Sequence, residues 1–387
     1  MNNLKFNNYQ NKDLLLKASK KGFDLLDFEE VMLDDSRNFS SIKKKEIESQ
    51  GKVPVIDQSE LYISGYTNKY DEFEMNDSRI IFGDHTRILK FVDFPFVKGA
   101  DGTKILKNKV KNVNLKYLYY YLKSIAIPND GYSRHFKYIK NLIFPIPEYK
   151  SQNEIVEILD SMQSIIIQRK EQLQELDNLT QSIFIKMFGS PVTNEEKWET
   201  VKLTELGELG RGKSKHRPRN APELLDGPYP LIQTGEVSNS GLFITEFEST
   251  YSELGLAQSK LWEKGTLCIT IAANIAKTGI LAFDACFPDS IVGFTPSDKT
   301  NVIYIHFWFS FLQKILEENA PQSAQKNINL KILSNLDVIN PPKRLQNEFA
   351  EKVKEIELIK EKMQTSLDEM NTLFDALMQK AFTGELV

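Results

Sequence analysis

Gly207-Glu-Leu-Gly-Arg-Gly212-Lys213-Ser214 has the spacing of a phosphate-binding loop. Such a loop works when a buried strand precedes it and a helix follows, so that backbone N–H groups and the helix dipole face the phosphates. Here the preceding VKLTELGEL is half polar, and Pro218 and Pro222 in the following KHRPRNAP forbid a regular helix. Ile280-Leu-Ala-Phe-Asp284 imitates the apolar strand that ends in a metal-binding Asp, a common pattern on its own. The stretch therefore reads as a basic, glycine-bearing loop facing an anionic ligand such as DNA. Gly83-Asp84-His85-Thr86-Arg87 is the densest polar cluster, and a His–Asp pair is the material of general acid–base chemistry. Neighbouring strand residues point to opposite faces, however, and no nucleophile accompanies the pair. A turn or a ligand contact is the expectation there.

Asn340-Pro341-Pro342 matches three-quarters of the Asn-Pro-Pro-aromatic signature that holds a flipped adenine in amino-methyltransferases, but Lys343 replaces the aromatic residue. No Cys/His cluster has metal-ligand spacing, and neither a Gly-x-Ser-x-Gly elbow nor a carboxylate–Lys nuclease core is present. Cys268 and Cys286 are read as buried apolar residues of a reducing cytosol rather than a disulfide. The polar MNNLKFNNYQ start is not a signal peptide, and the longest apolar run, 302–312, is broken by His306 and Ser310. A soluble, cytoplasmic protein without a membrane segment is expected. Net charge is −4, but residues 1–150 carry 25 basic and 20 acidic side chains while 191–343 carry 15 and 18. A weakly charged body with local basic runs, such as Arg211, Lys213, Lys215, Arg217 and Arg219, suits DNA binding assisted by partners. These residues position and recognise; they do not form a reaction centre.

The elements that must position them are duplicated. Shifted by 194 residues, 152–188 falls on 346–382 with ten identities in 37: Gln152, Asn153, Glu154, Glu157, Ile165, Leu173, Glu175, Leu179, Lys186 and Phe188. In both copies apolar residues step by four and three, the pattern of a helix packed on a helix. One seam holds Ile155, Leu159, Met162, Ile166, Leu173, Leu176, Ile183 and Met187, the other Phe349, Val353, Ile356, Met363, Leu367, Met370, Phe374, Leu377 and Ala381. Arg169, Thr180 and Lys360 interrupt the seams, and are read as frays or solvated edges rather than a device fixing register. Each helix of about 35 residues would run about 50 Å. The modules before the helices are related in outline: Gly51-Lys-Val-Pro54-Val-Ile56 resembles Gly227-Pro-Tyr-Pro230-Leu-Ile232, and Asn114…Tyr117 resembles Asn301…Tyr304. The aromatic runs Tyr119–Tyr121 and Phe307–Phe309 are read as core. Strands are predicted over 266–272 and 278–284.

With "PIPEYKSQNEIVEILD" and "LTQSIFIKMFGSP" at the ends of the first helix, and "LQNEFAEKVKEIE" and "LFDALMQKAFTGEL" at those of the second, the chain resembles the specificity subunits of type I restriction–modification systems. The resemblance is strong over 140–200 and 335–387. It implies an α+β fold in which two target-recognition domains of mixed strands and helices are joined by two long antiparallel, coiled-coil-like helices in a pseudo-twofold repeat. The implied layout is an N-terminal arm (1–22), a first recognition domain (23–150), a central spacer helix (151–190), a second recognition domain (191–343) and a terminal spacer helix (344–387). It also implies that each domain reads half of a bipartite site on double-stranded DNA, and that the helices set the spacer and dock two methyltransferase subunits. S-adenosylmethionine, ATP and Mg would belong to those partners and to restriction/translocase subunits, with no cofactor in this chain. The first module lacks the Trp opening that Trp198 gives the second. Side-chain chemistry, not the resemblance, selects the candidate DNA contacts, since Arg and Lys read guanine and phosphate while Asn and Gln read adenine. These are His85, Arg87, Lys90, Arg134 and His135 in the first domain. In the second they are Lys213, Lys215, Arg217, Gln233, Thr234, Asn274, Lys277, Gln325 and Lys326. A stand-alone adenine methyltransferase or nuclease, or a coiled-coil scaffold that never meets DNA, are the competing readings.

Overall fold

The computed structural model describes residues 9–68, 77–99, 102–272, 275–312 and 328–387. The chain divides into two compact units, Met1–Lys170 with Thr365–Val387, and Glu171–Gln364. Each unit thus combines one module with part of each long helix.

The first module contains β1 (Asp24–Asp27), β2 (Met32–Asp34), β3 (Val53–Ile56), β4 (Gly65–Thr67), β5 (Arg79–Gly83), β6 (Leu89–Val92), β7 (Val97–Lys98), β8 (Thr103–Asn108) and β9 (Ile143–Ile146). The second contains β10 (Thr200–Lys202), β11 (Gly207–Arg211), β12 (Leu225–Leu231), β13 (Phe243–Ile244), β14 (Ser249–Tyr251), β15 (Leu261–Trp262), β16 (Leu267–Thr270), β17 (Thr278–Leu281), β18 (Ala285–Cys286), β19 (Ile291–Pro296) and β20 (Asp337–Ile339). Their sheets correspond. The order β2-β8-β5-β6 is matched by β11-β19-β16-β17, with β13 added at the edge; β4-β3-β7 is matched by β14-β12-β18, with β15 added. The small pair β1–β9 is matched by β10–β20, with Leu26 opposite Phe144 and Val201 opposite Val338.

The duplication is visible atom by atom where each module hands over to its helix. Buried Gln152 donates to Pro147 O (2.9 Å) and accepts from Asn114 N–H (2.8 Å), while Asn153 Oδ1 accepts from Asn114 Nδ2 (2.8 Å). In the other copy Gln346 donates to Pro341 O (2.8 Å) and accepts from Asn301 N–H (2.8 Å), and Asn347 Oδ1 accepts from Asn301 Nδ2 (2.9 Å). Asn114 and Asn301 also cap the aromatic helices Leu115–Ser124 and Val302–Phe309, whose ring-bearing faces are core as expected. Tyr117 donates to Pro145 O and Tyr304 to Ile339 O, acceptors that lie 194 residues apart.

The long helices span Tyr149–Phe188 and Lys343–Thr383, each about 60 Å. They are antiparallel: in the second unit Phe184 meets Phe349 while Asp177 meets Lys360, and in the first Tyr120 touches both Asp160 and Phe374. Every predicted seam residue is buried or half-buried. Two readings of the interruptions need correction. Thr180 is buried and returns its hydroxyl to Leu176 O, and Lys360 bridges Asp177 (2.7 Å) and Glu357 (2.8 Å). Neither is a solvated edge; Arg169 is half-buried.

The ends of the helices plug modules. Phe188 packs on Tyr304 and Phe349 in the second unit, and Phe382 on Tyr117 and Tyr121 in the first. Burying each ring contributes about 2–3 kcal/mol. Gly189 and Gly384, both at positive φ, end the helices in the left-handed conformation that glycine adopts without Cβ strain. Trp198 donates its indole N–H to Phe188 O, and by strand register Phe23 holds the corresponding place in the first module, beside Gly384. The missing Trp is a Phe. From Tyr9 onward the predicted N-terminal arm is part of the first module: Gln10 is buried against Tyr121 and Ile143, and the helix Lys12–Lys20 buries Leu15 and Ala18. Cys268 and Cys286 are free, buried thiols. Among the described residues no helix is long and apolar enough to cross a membrane.

Candidate nucleic-acid interface

In the first unit the candidate residues converge on one end of the β2-β8-β5-β6 sheet, at the turn joining β5 to β6. Arg87 closes that turn at φ 64°, its N–H bonded to Gly83 O (2.7 Å), and its guanidinium donates to Ile127 O (3.2 Å). His85 is fixed by its backbone N–H on Gln58 Oε1 (3.1 Å) and by Nδ1 beside Ser133 O (3.1 Å). Its imidazole lies parallel to the ring of Tyr132, centroids 4.8 Å apart. Arg134, two residues on, is exposed. Asp84 is buried and accepts from Phe136 N–H (2.7 Å), so its carboxylate starts a helix and does not orient His85 for catalysis.

Two candidates leave the set. Lys90 is only 4 % exposed and donates to Asp57 O (2.8 Å) and Leu61 O (2.5 Å). Burial draws its ammonium below the usual lysine range, with Asp57 partly offsetting that. His135 is fully buried; Nε2 accepts from Asp130 N–H (3.2 Å), which makes Nδ1 the donor to Asp84 O (3.0 Å). Both side chains tie loops together, and neither presents a polar atom to an external ligand.

The second unit repeats the arrangement at the matching end of its larger sheet. The turn from β16 to β17 also closes on a left-handed residue, Ala276 at φ 64°, followed by exposed Lys277. Beside it, β11 runs out into Lys213, Lys215 and Arg217, all exposed, with Lys215 N–H held by Gln258 Oε1 (2.6 Å). Arg217 folds back onto Ser214 O (2.6 Å) and His216 O (2.7 Å). Arg211 and Arg219 both grip Asp289, at O and Oδ1, each 2.6 Å. They line a pocket of about 380 Å³ with Ile271, Ser290 and Asn329. Gln233 is exposed and Thr234 half-buried at the start of the short helix Thr234–Asn239. Asn274, Gln325 and Lys326 lie outside the described residues.

The phosphate-loop spacing is explained by packing. Gly210 lies under Trp262, and a Cβ there would come within 2.5 Å of the ring; at Gly212 it would meet Pro288 O at 2.2 Å. The glycines admit an indole and a neighbouring backbone, and irregular chain rather than an α-helix follows them over 213–221. Asn340 is similarly structural, accepting from Gln346 Nε2 (3.1 Å). Sequence reasoning missed Tyr132 and the Arg211–Asp289–Arg219 cluster. Gly131 beside Tyr132 was the one available signal of a loop presenting a ring.

The profile of the type I restriction modification DNA specificity domain matches this chain twice, over residues 25–178 and 195–370. The chain belongs to that family. Each match of this specificity domain starts near the first strand of a module and runs into the long helix that follows it, so the family repeat and the structural repeat coincide. The EcoBI specificity subunit of Escherichia coli is 23 % identical over 282 residues, covering 64 % of this chain and 59 % of that one, less than two-thirds of its length. The EcoR124I/EcoR124II specificity subunit of the same species is 22 % identical over 284 residues, covering 68 % and 69 %. The crystal structure of a type I restriction–modification S subunit from M. genitalium superposes with a TM-score of 0.55 at 17 % identity, covering 98 % of both chains. A chain from a structural study of type I complex assembly and conformational transition gives 0.54 at 15 %, over 94 % of this chain and 98 % of its own. These likenesses show that the two-module, two-helix fold is shared.

Proposed function

We propose that this chain is the DNA-recognition subunit of a type I restriction–modification complex and is itself non-catalytic. Each module reads one half of a bipartite, asymmetric site through the turn and loops gathered at its sheet end, and the long helices set the unspecified spacer. Two methyltransferase subunits dock on the helices and bring S-adenosylmethionine; restriction/translocase subunits bring ATP and Mg.

One observation carries the partner count. Of the ten identities between the helices, the Gln, Asn and Phe pairs are consumed by contacts inside the chain, as described above. Ile165 and Ile359, at 46 % and 49 % exposure, and Leu179 and Leu373, at 46 % and 52 %, are not. Apolar side chains kept identical in both copies and left facing solvent fit a surface that is covered twice by the same partner. Mapping of N6-methyladenine across the host genome, with and without the gene, tests the reading. Loss of one motif made of two short specified halves around a fixed gap is expected. An unchanged map, with partners expressed and active, would overturn it.

A further inference from the structure

We propose that Tyr132 is a specificity-determining residue of the first module, packing its ring against the 5-methyl group of one thymine in the major groove of the half-site that module reads. This rests on the recognition reading above. Tyr132 is 93 % exposed, while among the described residues the next large apolar side chain, Leu61, is 66 % exposed and most aromatic rings of the module are buried. An exposed ring on a loose loop would mean little, but this loop is wired. Gly131 N–H bonds to Asn129 Oδ1 (3.1 Å), Ser133 N–H to Gly131 O (2.9 Å) and Asp130 N–H to His135 Nε2 (3.2 Å). The Asp130 carboxylate takes Lys137 (3.0 Å) and the Tyr138 hydroxyl.

One face of the ring rests on His85, at an interplanar angle of 7°, and His85 is held in turn by Gln58 and Ser133. The other face is open to a ligand, and the stack favours one ring orientation, which lowers the rotamer entropy lost on binding. Arg134, two residues along the same loop, is exposed, and Arg87, half-buried with its guanidinium on Ile127 O (3.2 Å), closes the turn on which His85 sits. An exposed ring face on a loop that also carries an exposed arginine is complementary to a thymine methyl set among phosphates. A purely apolar protein surface would leave the Arg134 charge without a counterpart.

The full chain in complex with its methyltransferase subunits would be titrated with duplexes carrying the mapped site. Each thymine of both half-sites is replaced in turn by uracil, which removes only the methyl group. Wild type and Tyr132→Phe should lose about tenfold in affinity at one thymine of one half-site. Tyr132→Ala should bind the intact site about tenfold more weakly and be indifferent to that same replacement, with non-specific binding unchanged. His85→Ala, which keeps the ring and removes its backing, should fall between. The inference is overturned if Tyr132→Ala binds the site as tightly as wild type, keeps the wild-type response to every uracil, or loses a methyltransferase subunit on gel filtration. A wild-type complex that prefers no duplex would defeat the recognition reading itself.

Discussion

An ammonium group inside a module must find carbonyls or carboxylates, and Lys90 finds the Asp57 and Leu61 carbonyls. Lys90→Met orphans both, and should cost about 1–3 kcal/mol in urea unfolding of the first unit. It should leave the salt dependence of DNA binding as it was. Arg134→Ala should do the reverse, leaving stability within about 0.5 kcal/mol and reducing the slope of log affinity against log salt by about one. Both were equally basic and equally plausible as letters in the sequence. Only the tertiary path of residues 57–61 separates a buried strut from a solvent-facing contact, and no local pattern encodes it. His306 makes a pH argument in the second unit. Burial, assisted by the charge of Lys360, lowers it to about 4 from an ordinary 6.5. Between pH 6.5 and 4 the unfolded chain binds a proton that the folded one refuses. Stability is therefore fully present above 6.5 and falls as the pH drops through that window, by at most about 3 kcal/mol. Urea midpoints at pH 7 and pH 5 should differ less in His306→Gln than in wild type.

Helices of this length are held by their apolar seams and by a few fixed points, and the structure supplies two kinds, ion pairs at Lys360 and buried glutamine amides. The seam residues were legible because a four-three period forces one face inward whatever surrounds it. The interruptions were misread because a charged or hydroxyl side chain in such a seam looks like a fray until its partner is seen. Lys360 has two, and although burial opposes its charge, Asp177 and Glu357 hold its ammonium above the usual range. Asp177→Asn should weaken the second unit by about 1 kcal/mol, discounted for half-exposure, in chemical denaturation at low salt, and by less at high salt. The buried amides are stiffer joints. Gln346→Ala would orphan Asn301 N–H, the Thr300 hydroxyl and Pro341 O, and should cost about 2–4 kcal/mol in the second unit. Gln152→Ala should place its cost in the first. Hydrogen exchange resolved by segment would separate the two, and equal loss in both units from either variant would contradict the assignment. That both glutamines recur at the same offset was readable beforehand. Their partners, Asn114 and Asn301, carry no local signal of that contact, because the approach of the helix to the module is set by the tertiary fold.

At the scale of the molecule, the doubling predicts a stoichiometry. Ile359→Asp should reduce co-purifying methyltransferase from two copies to one while leaving the melting behaviour of the free chain unchanged, read by native mass spectrometry; Ile165→Asp should remove the other copy. Two copies retained in both variants would place the docking surface elsewhere. The plan of module, helix, module, helix was legible because duplicated helix ends keep their letters, whereas the modules keep only their strand order. That difference is physical: the helix ends make the same contacts twice, and the loops of the modules do not. The plugging of each module by a distant helix end has a further consequence, for synthesis. The second unit is one continuous stretch, Glu171–Gln364, while the first needs Thr365–Val387, including Phe382, to fill its core. On the ribosome the module made first must therefore wait for Thr365–Val387, and the module made second is able to close before it. A stop codon just before Phe382 would damage the module made first and spare the one made second.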